Sequence, residues 1–377
     1  MQTVPIVVAT PTELAGLMQH LLASPRLAVD TESNSFYAYH ERLCVLQIST
    51  ADADYVIDPF PIGDISPLAE VFANPGIEKI FHAAQEDIRL LKRTLGCPVE
   101  NIFDTMVAAR IVGWKEVGLA ACLKNHFNVI LNKKLQRSDW GRRPLTAEQI
   151  EYAAKDTHWL VRLRENLHQE LLRTGRLEEA IEQFHHISQV ETPKKEFDPE
   201  AFRKLKGARE LDPRGLAVLR ELFLYREERA RSINRPVFMV LPDLLLVRLA
   251  QTHPADHAHL KTLSGVTSFV LDRHGRGILE AVARGKLAPP VGPQERRPQR
   301  MFDGRQMARY ERLRAWRMSK AAERGVESDI ILSNQAMKEL ALLDGSDLAA
   351  LDDVTGLGPH KRALYGDELL NVLQQNK

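Results

Sequence analysis

The sequence predicts an α/β domain, a mixed sheet flanked by helices, followed by two small all-α domains. Three observations carry this reading. Strand-like segments at 26–29, 43–49 and 55–57 follow in succession before a fourth, at 78–81, is reached through a helical stretch, a pattern that suits a mixed rather than a purely parallel sheet. Past Gln183 the chain turns to helical periodicity with few strand signals. That rear part also repeats itself at a constant offset of 91 residues.

The front elements can be justified in order. Residues 12–22 space their apolar side chains as a helix does, behind a threonine able to cap it. The strand at 26–29 runs into Asp30-Thr31-Glu32-Ser33-Asn34. Successive strand side chains alternate faces, so Asp30 and Glu32 point the same way and can share one cation. Asp, Thr, Ser and Asn are also turn residues, so the pair taken alone reads equally as a polar turn. Residues 34–42 and 51–54 connect the next strands, and 67–72 form a helix before the strand at 78–81.

Beyond that strand, Ile88, Leu91 and Leu95 have helical spacing, which puts Asp87 in the first turns of a helix just past a strand end. Acidic residues are also favoured there by the helix dipole. Asp104, before Thr and an apolar run, is an N-cap. Residues 133–146 carry Lys133, Lys134, Arg137, Trp140, Arg142 and Arg143, a composition suited to phosphate contact and base stacking, or to a solvated loop whose Trp plugs the core. Thr146, three residues before Gln149, caps a helix on which Tyr152 and Asp156 share a face one turn apart.

Composition bounds the rest. The 377 residues are 44% hydrophobic and 27% charged, which suits two or three globular domains. Residues 1–190 hold 19 Lys and Arg against 24 Asp and Glu, a balance of −5, and the remainder 32 against 26, or +6. The basic rear half points to a polyanionic partner. Cys44, Cys97 and Cys122 have no metal-ligand spacing and sit among apolar neighbours, which implies core packing in a reducing compartment. No signal peptide or membrane span is read, and the apolar stretch 237–247 is broken by Pro242 and Asp243, so a cytoplasmic location is expected.

Asp30-x-Glu32, Asp87 and Tyr152-x-x-x-Asp156 together resemble the three motifs of the tyrosine-type DEDD 3′ to 5′ exonucleases. The flanking text at 44–50, 81–87 and 138–146 is most similar to the ribonuclease D family, over about residues 1 to 185. One departure is Ala83-Ala84, where many relatives have a glycine; alanine demands no unusual backbone, so only the local helix start is in question. The resemblance implies a ribonuclease H-like fold and a site of two divalent metal ions, Mg²⁺ or Mn²⁺. Asp30 would bridge both ions, Glu32 and Asp156 would complete the site holding the attacking water, and Asp87 would support the second ion. Tyr152 would orient that water, while His82, Lys133, Arg137, Trp140, Arg142 and Arg143 are candidate substrate contacts. Hard oxygen ligands with no His or Cys cluster suit Mg²⁺ or Mn²⁺ better than zinc.

In the rear half, Tyr225-Arg226 matches Trp316-Arg317, Val240-Leu241 matches Ile331-Leu332, and Gly265-Val266 matches Gly356-Leu357. Each copy resembles the helicase-and-RNase-D C-terminal (HRDC) domain. The organisation implied is an exonuclease domain at 1–185, a linker at 186–210, a first HRDC-like domain at 211–288, a linker at 289–303 and a second HRDC-like domain at 304–377. Arg226, Arg229, Arg231, Arg235, Arg309, Arg312, Arg314 and Arg317 are read as a platform for a nucleic acid backbone, and the Gly356–Pro359 turn as a phosphate contact or a helix terminator. The function implied is removal of 5′ mononucleotides from RNA 3′ ends, with tRNA precursors as substrates and no obligate protein partner. The carboxylates do not report a 2′-hydroxyl, so a DNA exonuclease stays open. So does an RNA-binding protein on an inactive exonuclease fold.

Overall fold

The computed structural model describes residues 4–193, 196–292, 302–343 and 348–375. The basic pair Lys194-Lys195 and the proline-rich run 293–301, both read as linker, lie outside the described residues. The chain divides into two compact units, one formed by 1–32, 43–192 and 300–377 and the other by 33–42 and 193–299.

The first unit holds a six-stranded sheet of β1 (Ile6–Val8), β2 (Arg26–Ser33), β3 (Leu43–Ser49), β4 (Asp54–Ile57), β5 (Glu78–Phe81) and β6 (Ile102–Asp104) in the order β1-β4-β3-β2-β5-β6. It is mixed, as predicted. β2 runs parallel to β5 with Leu27 opposite Lys79, β5 parallel to β6, β1 parallel to β4, and β3 antiparallel to β4 with Gln47 opposite Val56. β1 and β6 are only three residues long and were not read from the sequence. β3 is buried along its whole length, because both faces are covered.

Helices α1 (Pro11–Ala23), α2 (Pro59–Ile62), α3 (Leu68–Ala73), α4 (Gln85–Leu95), α5 (Thr105–Val112), α6 (Leu119–Phe127), α7 (Ala147–His158), α8 (Leu160–Arg173) and α9 (Leu177–Ser188) accompany the sheet. Thr10 caps α1 in a capping box with Glu13, and Thr146 caps α7 in one with Gln149. Leu27, Val29, Leu46, Ile48, Ile80, Ile88 and Leu91 meet in the main core. Cys44 and Cys122 are buried and Cys97 half-buried, and none of the three is in a disulfide.

The helical segments repeat element by element. In the second unit these are α10 (Pro213–Ser232), α11 (Val237–Val240), α12 (Asp243–Thr252), α13 (His257–Thr262) and α14 (Ser268–Leu287). The first unit holds α15 (Gly304–Arg324), α16 (Ser328–Ile331), α17 (Asn334–Leu342), the 3₁₀ turn Leu348–Leu351 and α18 (Pro359–Gln374). Every start keeps the 91-residue offset. Each copy is locked by the same buried arginine. Arg226 Nη1 donates to Leu241 O at 3.1 Å and Asp243 Oδ1 at 2.5 Å, and Arg317 Nη1 to Leu332 O at 3.0 Å and Asn334 Oδ1 at 2.9 Å.

This corrects part of the predicted arginine platform. Arg226 and Arg317 are 4% and 9% exposed and hold their own domains together. Arg309 and Arg312 donate to the carbonyls of Ala341 and Val372. Arg231 lies over the Tyr39 ring and Arg235 donates to Tyr37 O, so both fasten the 33–42 loop within the second unit. Asn234 Oδ1 accepts the N–H groups of Tyr39 and His40 in the same loop, each at 3.2 Å.

Within the first unit, α9 meets the second repeat. Arg324 forms an ion pair with Glu179 at 2.5 Å, and Glu182 Oε2 accepts the His360 N–H at 2.8 Å. In the first repeat Thr267 caps the matching helix with its own side chain, whereas Gly358 has none and a Cβ there would collide with the Glu182 carboxylate. The Gly356–Pro359 turn therefore receives a carboxylate of the same chain, which corrects its reading as a phosphate contact. Among the described residues no helix is long and apolar enough to cross a membrane.

Candidate metal centre

Asp30 and Glu32 lie at the C-terminal end of β2, the end at which a parallel sheet opens its crevice. α7 brings Asp156 to them. One ligand oxygen from each of the three carboxylates lies within 4.8 Å of the others, and this is the only such cluster of metal-ligating groups among the described residues. α7 is fastened to β3 and β4 below the site. Ser49 Oγ donates to Asp54 Oδ1 and pairs with Thr157 Oγ1, each at 2.6 Å, while His158 Nδ1 meets Asp54 Oδ2 at 2.8 Å.

Asp87, in the first turn of α4, is not in the three-carboxylate cluster. Its Oδ1 accepts the Thr31 hydroxyl at 2.5 Å, and its charge is felt at Glu32. α4 starts where it does because of Asp104. That carboxylate caps α5 through the N–H groups of Met106 and Val107 and also accepts those of Ala83 and Ala84. Ala83 sits at φ +67°, the left-handed region that favours glycine. The sequence reading that alanine demands no unusual backbone here is thus corrected.

The electrostatics are those of carboxylates crowded in a poorly solvated place. Burial and then the neighbouring Asp156 push the Asp30 carboxyl up to about 8. Burial and then Asp30, Asp156 and Asp87 push Glu32 to about 10. Asp156 rises to about 7 through burial, held back by the Tyr152 hydroxyl. Burial and then Asp30 lift Asp87 well above the usual carboxylate range. Like charges crowded in a poorly solvated place favour protonation unless a cation neutralises them. Burial, followed by Asp156, also raises the Tyr152 phenol.

The predicted substrate contacts separate. Trp140 is 1% exposed and packs with Cys44, Val45, Val56, Ala153 and Ala154, so it plugs the core instead of offering a face to a base. Arg143 uses all five N–H donors internally, on both Asp58 oxygens and on the carbonyls of Cys44, Trp140 and Arg142, which leaves none for a phosphate. His82 is half-buried and only its Nδ1 is engaged, Nε2 having no hydrogen-bond partner among the described residues. Thr105 gives its hydroxyl to Phe81 O, so His82 Nδ1 must be the donor in its 2.9 Å bond to Thr105 Oγ1. Burial lowers the His82 pKa, which keeps the ring neutral. Arg137 and Arg142 are exposed, whereas the Lys133 side chain lies outside what the structure describes. Thr31, Asp58, Asp54 and His158 were missed, because each acts through partners remote in sequence.

Residues 5–172 match the family model described as 3′-5′ exonuclease, and residues 215–282 and 306–373 each match that of the HRDC domain. The chain is 34% identical over 304 residues to a ribonuclease D of Acidiphilium cryptum, across 78% of this chain and 77% of that one. It is 30% identical over 369 residues to a ribonuclease D of Gluconacetobacter diazotrophicus, across 97% and 92%. Among solved structures it is similar to Escherichia coli RNase D, described as an exoribonuclease involved in structured RNA processing, with a TM-score of 0.69 and 25% identity over 100% and 99% of the two chains.

Proposed function

The chain belongs to the ribonuclease D family of 3′ to 5′ exoribonucleases, and on that premise we propose which residues do the work and on which RNA. The observation that carries the proposal is the convergence of Asp30, Glu32 and Asp156 within 4.8 Å. Asp30, Glu32 and Asp156, with Asp87 beside them, hold two divalent cations, Mg²⁺ or Mn²⁺. The donor set fits, being all carboxylate oxygen with raised proton affinity and no His or Cys among it. When bound, the cations supply positive charge for the oxygens that attack and leave in an in-line phosphodiester displacement.

The chain's own groups do the rest. Tyr152 keeps its proton at neutral pH, because burial and Asp156 raise it above an already high phenol pKa. It therefore orients the attacking water by a hydrogen bond and does not remove its proton. Asp156 lies one turn along α7 from Tyr152, and the two groups shift each other's proton affinity. His82, Lys133, Arg137 and Arg142 stay as candidate substrate contacts, and Trp140 and Arg143 leave that set.

The product is a 5′ mononucleotide released from an RNA 3′ end. The substrates are tRNA precursors with extra 3′ nucleotides, processed in the cytoplasm without an obligate protein partner. Matched RNA and DNA oligomers, assayed for nucleotide release with and without Mg²⁺ or Mn²⁺, test this. Metal-dependent shortening of RNA from its 3′ end is expected, and faster degradation of DNA would overturn the RNA assignment.

A further inference from the structure

The loop before α7 puts its best-buried side chain against Tyr152. The Trp140 and Tyr152 ring centroids are 6.0 Å apart at 40°, a tilted aromatic contact. Trp140 is packed in one buried cluster with Cys44 and Val45 of β3 and Val56 of β4. The loop itself is pinned by Arg143. Its Nε and Nη2 grip Asp58 at 2.6 and 2.7 Å, Nη2 also reaches Cys44 O at 2.8 Å, and Nη1 donates to Trp140 O at 2.7 Å. Phe60 lies under the guanidinium at 4.4 Å. Asp58 is 6% exposed and its Oδ1 also accepts the Phe60 N–H at 3.1 Å, so it is itself held.

We propose that Trp140 and Arg143 are positioning residues for Tyr152: the Arg143 fork fixes the loop, the loop fixes the indole, and the indole sets the phenol ring that orients the attacking water. The proposal rests on the assignment of Tyr152 above. It gives the Gly141-Arg-Arg-Pro144 loop a role that phosphate contact does not, since Arg143 has no donor left over. Displacing an orienting group by about 1 Å is enough to cost about 100-fold in rate.

The test is steady-state kinetics on one RNA oligomer at saturating Mn²⁺. Trp140→Leu is expected to lower kcat about 10- to 100-fold while KM for RNA stays within about twofold. Trp140→Phe, which keeps an aromatic face against Tyr152, is expected to recover most of the rate. Arg143→Lys keeps the charge but loses the planar fork and should show the same fall in kcat at constant KM, so the proposal is testable even if Trp140→Leu does not fold. Added to Tyr152→Phe, Trp140→Leu should cause no further loss, because both act through one group. A raised KM with kcat retained, or losses that multiply in the double variant, would overturn the positioning role. A wild-type rate for Tyr152→Phe alone would instead remove the assignment on which it rests.

Discussion

Thr31 lies between the two carboxylates of β2 and donates its hydroxyl to Asp87 Oδ1 at 2.5 Å. This bond ties β2, between the positions of Asp30 and Glu32, to the first turn of α4 that carries Asp87. It also holds the Asp87 carboxyl below where burial and Asp30 would otherwise push it. Thr31→Val keeps the shape and removes the donor. We expect the Mg²⁺ concentration for half-maximal activity to rise about tenfold, as loss of a ligand's supporting hydrogen bond commonly does. A metal titration of the activity checks this, and an unchanged midpoint would mean that Asp87 needs no anchor.

The crowded carboxylates make metal-free stability depend on pH. Asp30 and Asp156 have folded-state values of about 8 and 7, far above the unfolded carboxylate range near 4. The folded state then binds more protons than the unfolded state between about pH 4 and 8, so these groups lower stability as pH rises through that window. The metal-free melting temperature is expected to fall from pH 5.5 to 8.5. Mn²⁺ should raise it at pH 8.5, by an amount equivalent to about 2.7 kcal/mol at a hundred times the Kd there, and the same Mn²⁺ concentration should raise it less at pH 5.5, where protons compete for the carboxylates. Asp30→Asn removes one of the like charges and should flatten the metal-free profile; thermal melts across that range are the check.

Ala83 at φ +67° is strained by its Cβ, and Asp104 holds it there by accepting its N–H at 3.1 Å. Ala83→Gly should stabilise the folded state by about 0.5–1 kcal/mol, the left-handed cost less the entropy that glycine adds to the unfolded chain. Asp104→Ala leaves four backbone N–H groups without their acceptor and should destabilise by about 3 kcal/mol or more. Urea unfolding of the metal-free protein measures both changes.

Glu179 is 1% exposed, and its ion pair with Arg324 joins α9 to the second helical repeat within one unit. Ile330 of that repeat also packs in the main core with Phe184 of α9. Glu179→Ala strands the arginine and should cost about 3–5 kcal/mol. Removing residues 300–377 should destabilise the sheet domain as well, seen as a lower melting temperature and exposed apolar surface. A truncated protein that melts like the full chain would show that the repeat is only an appendage.

Much of the site was legible because strands and helices have fixed periods. Asp30 and Glu32 share a face by alternation, and Tyr152 and Asp156 by the helical turn, so each pair could be read locally. Their union was legible only through the family motifs. The two repeats were visible because one register of matches runs through every element. What stayed hidden depends on distant partners. Arg143 reads as a loop cation, yet its acceptors Asp58 and Cys44 are 85 and 99 residues away. Arg226 and Arg317 look like helix-face charges, yet each satisfies a carbonyl 15 residues on. The left-handed alanine was signalled only by the glycine that many relatives carry at Ala83-Ala84, because its own partner, Asp104, is 21 residues away.

The most direct test of the central claim is single-turnover digestion of a 5′-labelled RNA in Mg²⁺ or Mn²⁺ by the wild type, Asp30→Asn and Asp156→Asn. The wild type should shorten the RNA one nucleotide at a time from its 3′ end and stop when the metal is chelated. Each variant should bind the RNA but react at least about 100-fold more slowly. Wild-type rates in either variant, or shortening that persists under chelation, would contradict a metal centre built on these carboxylates.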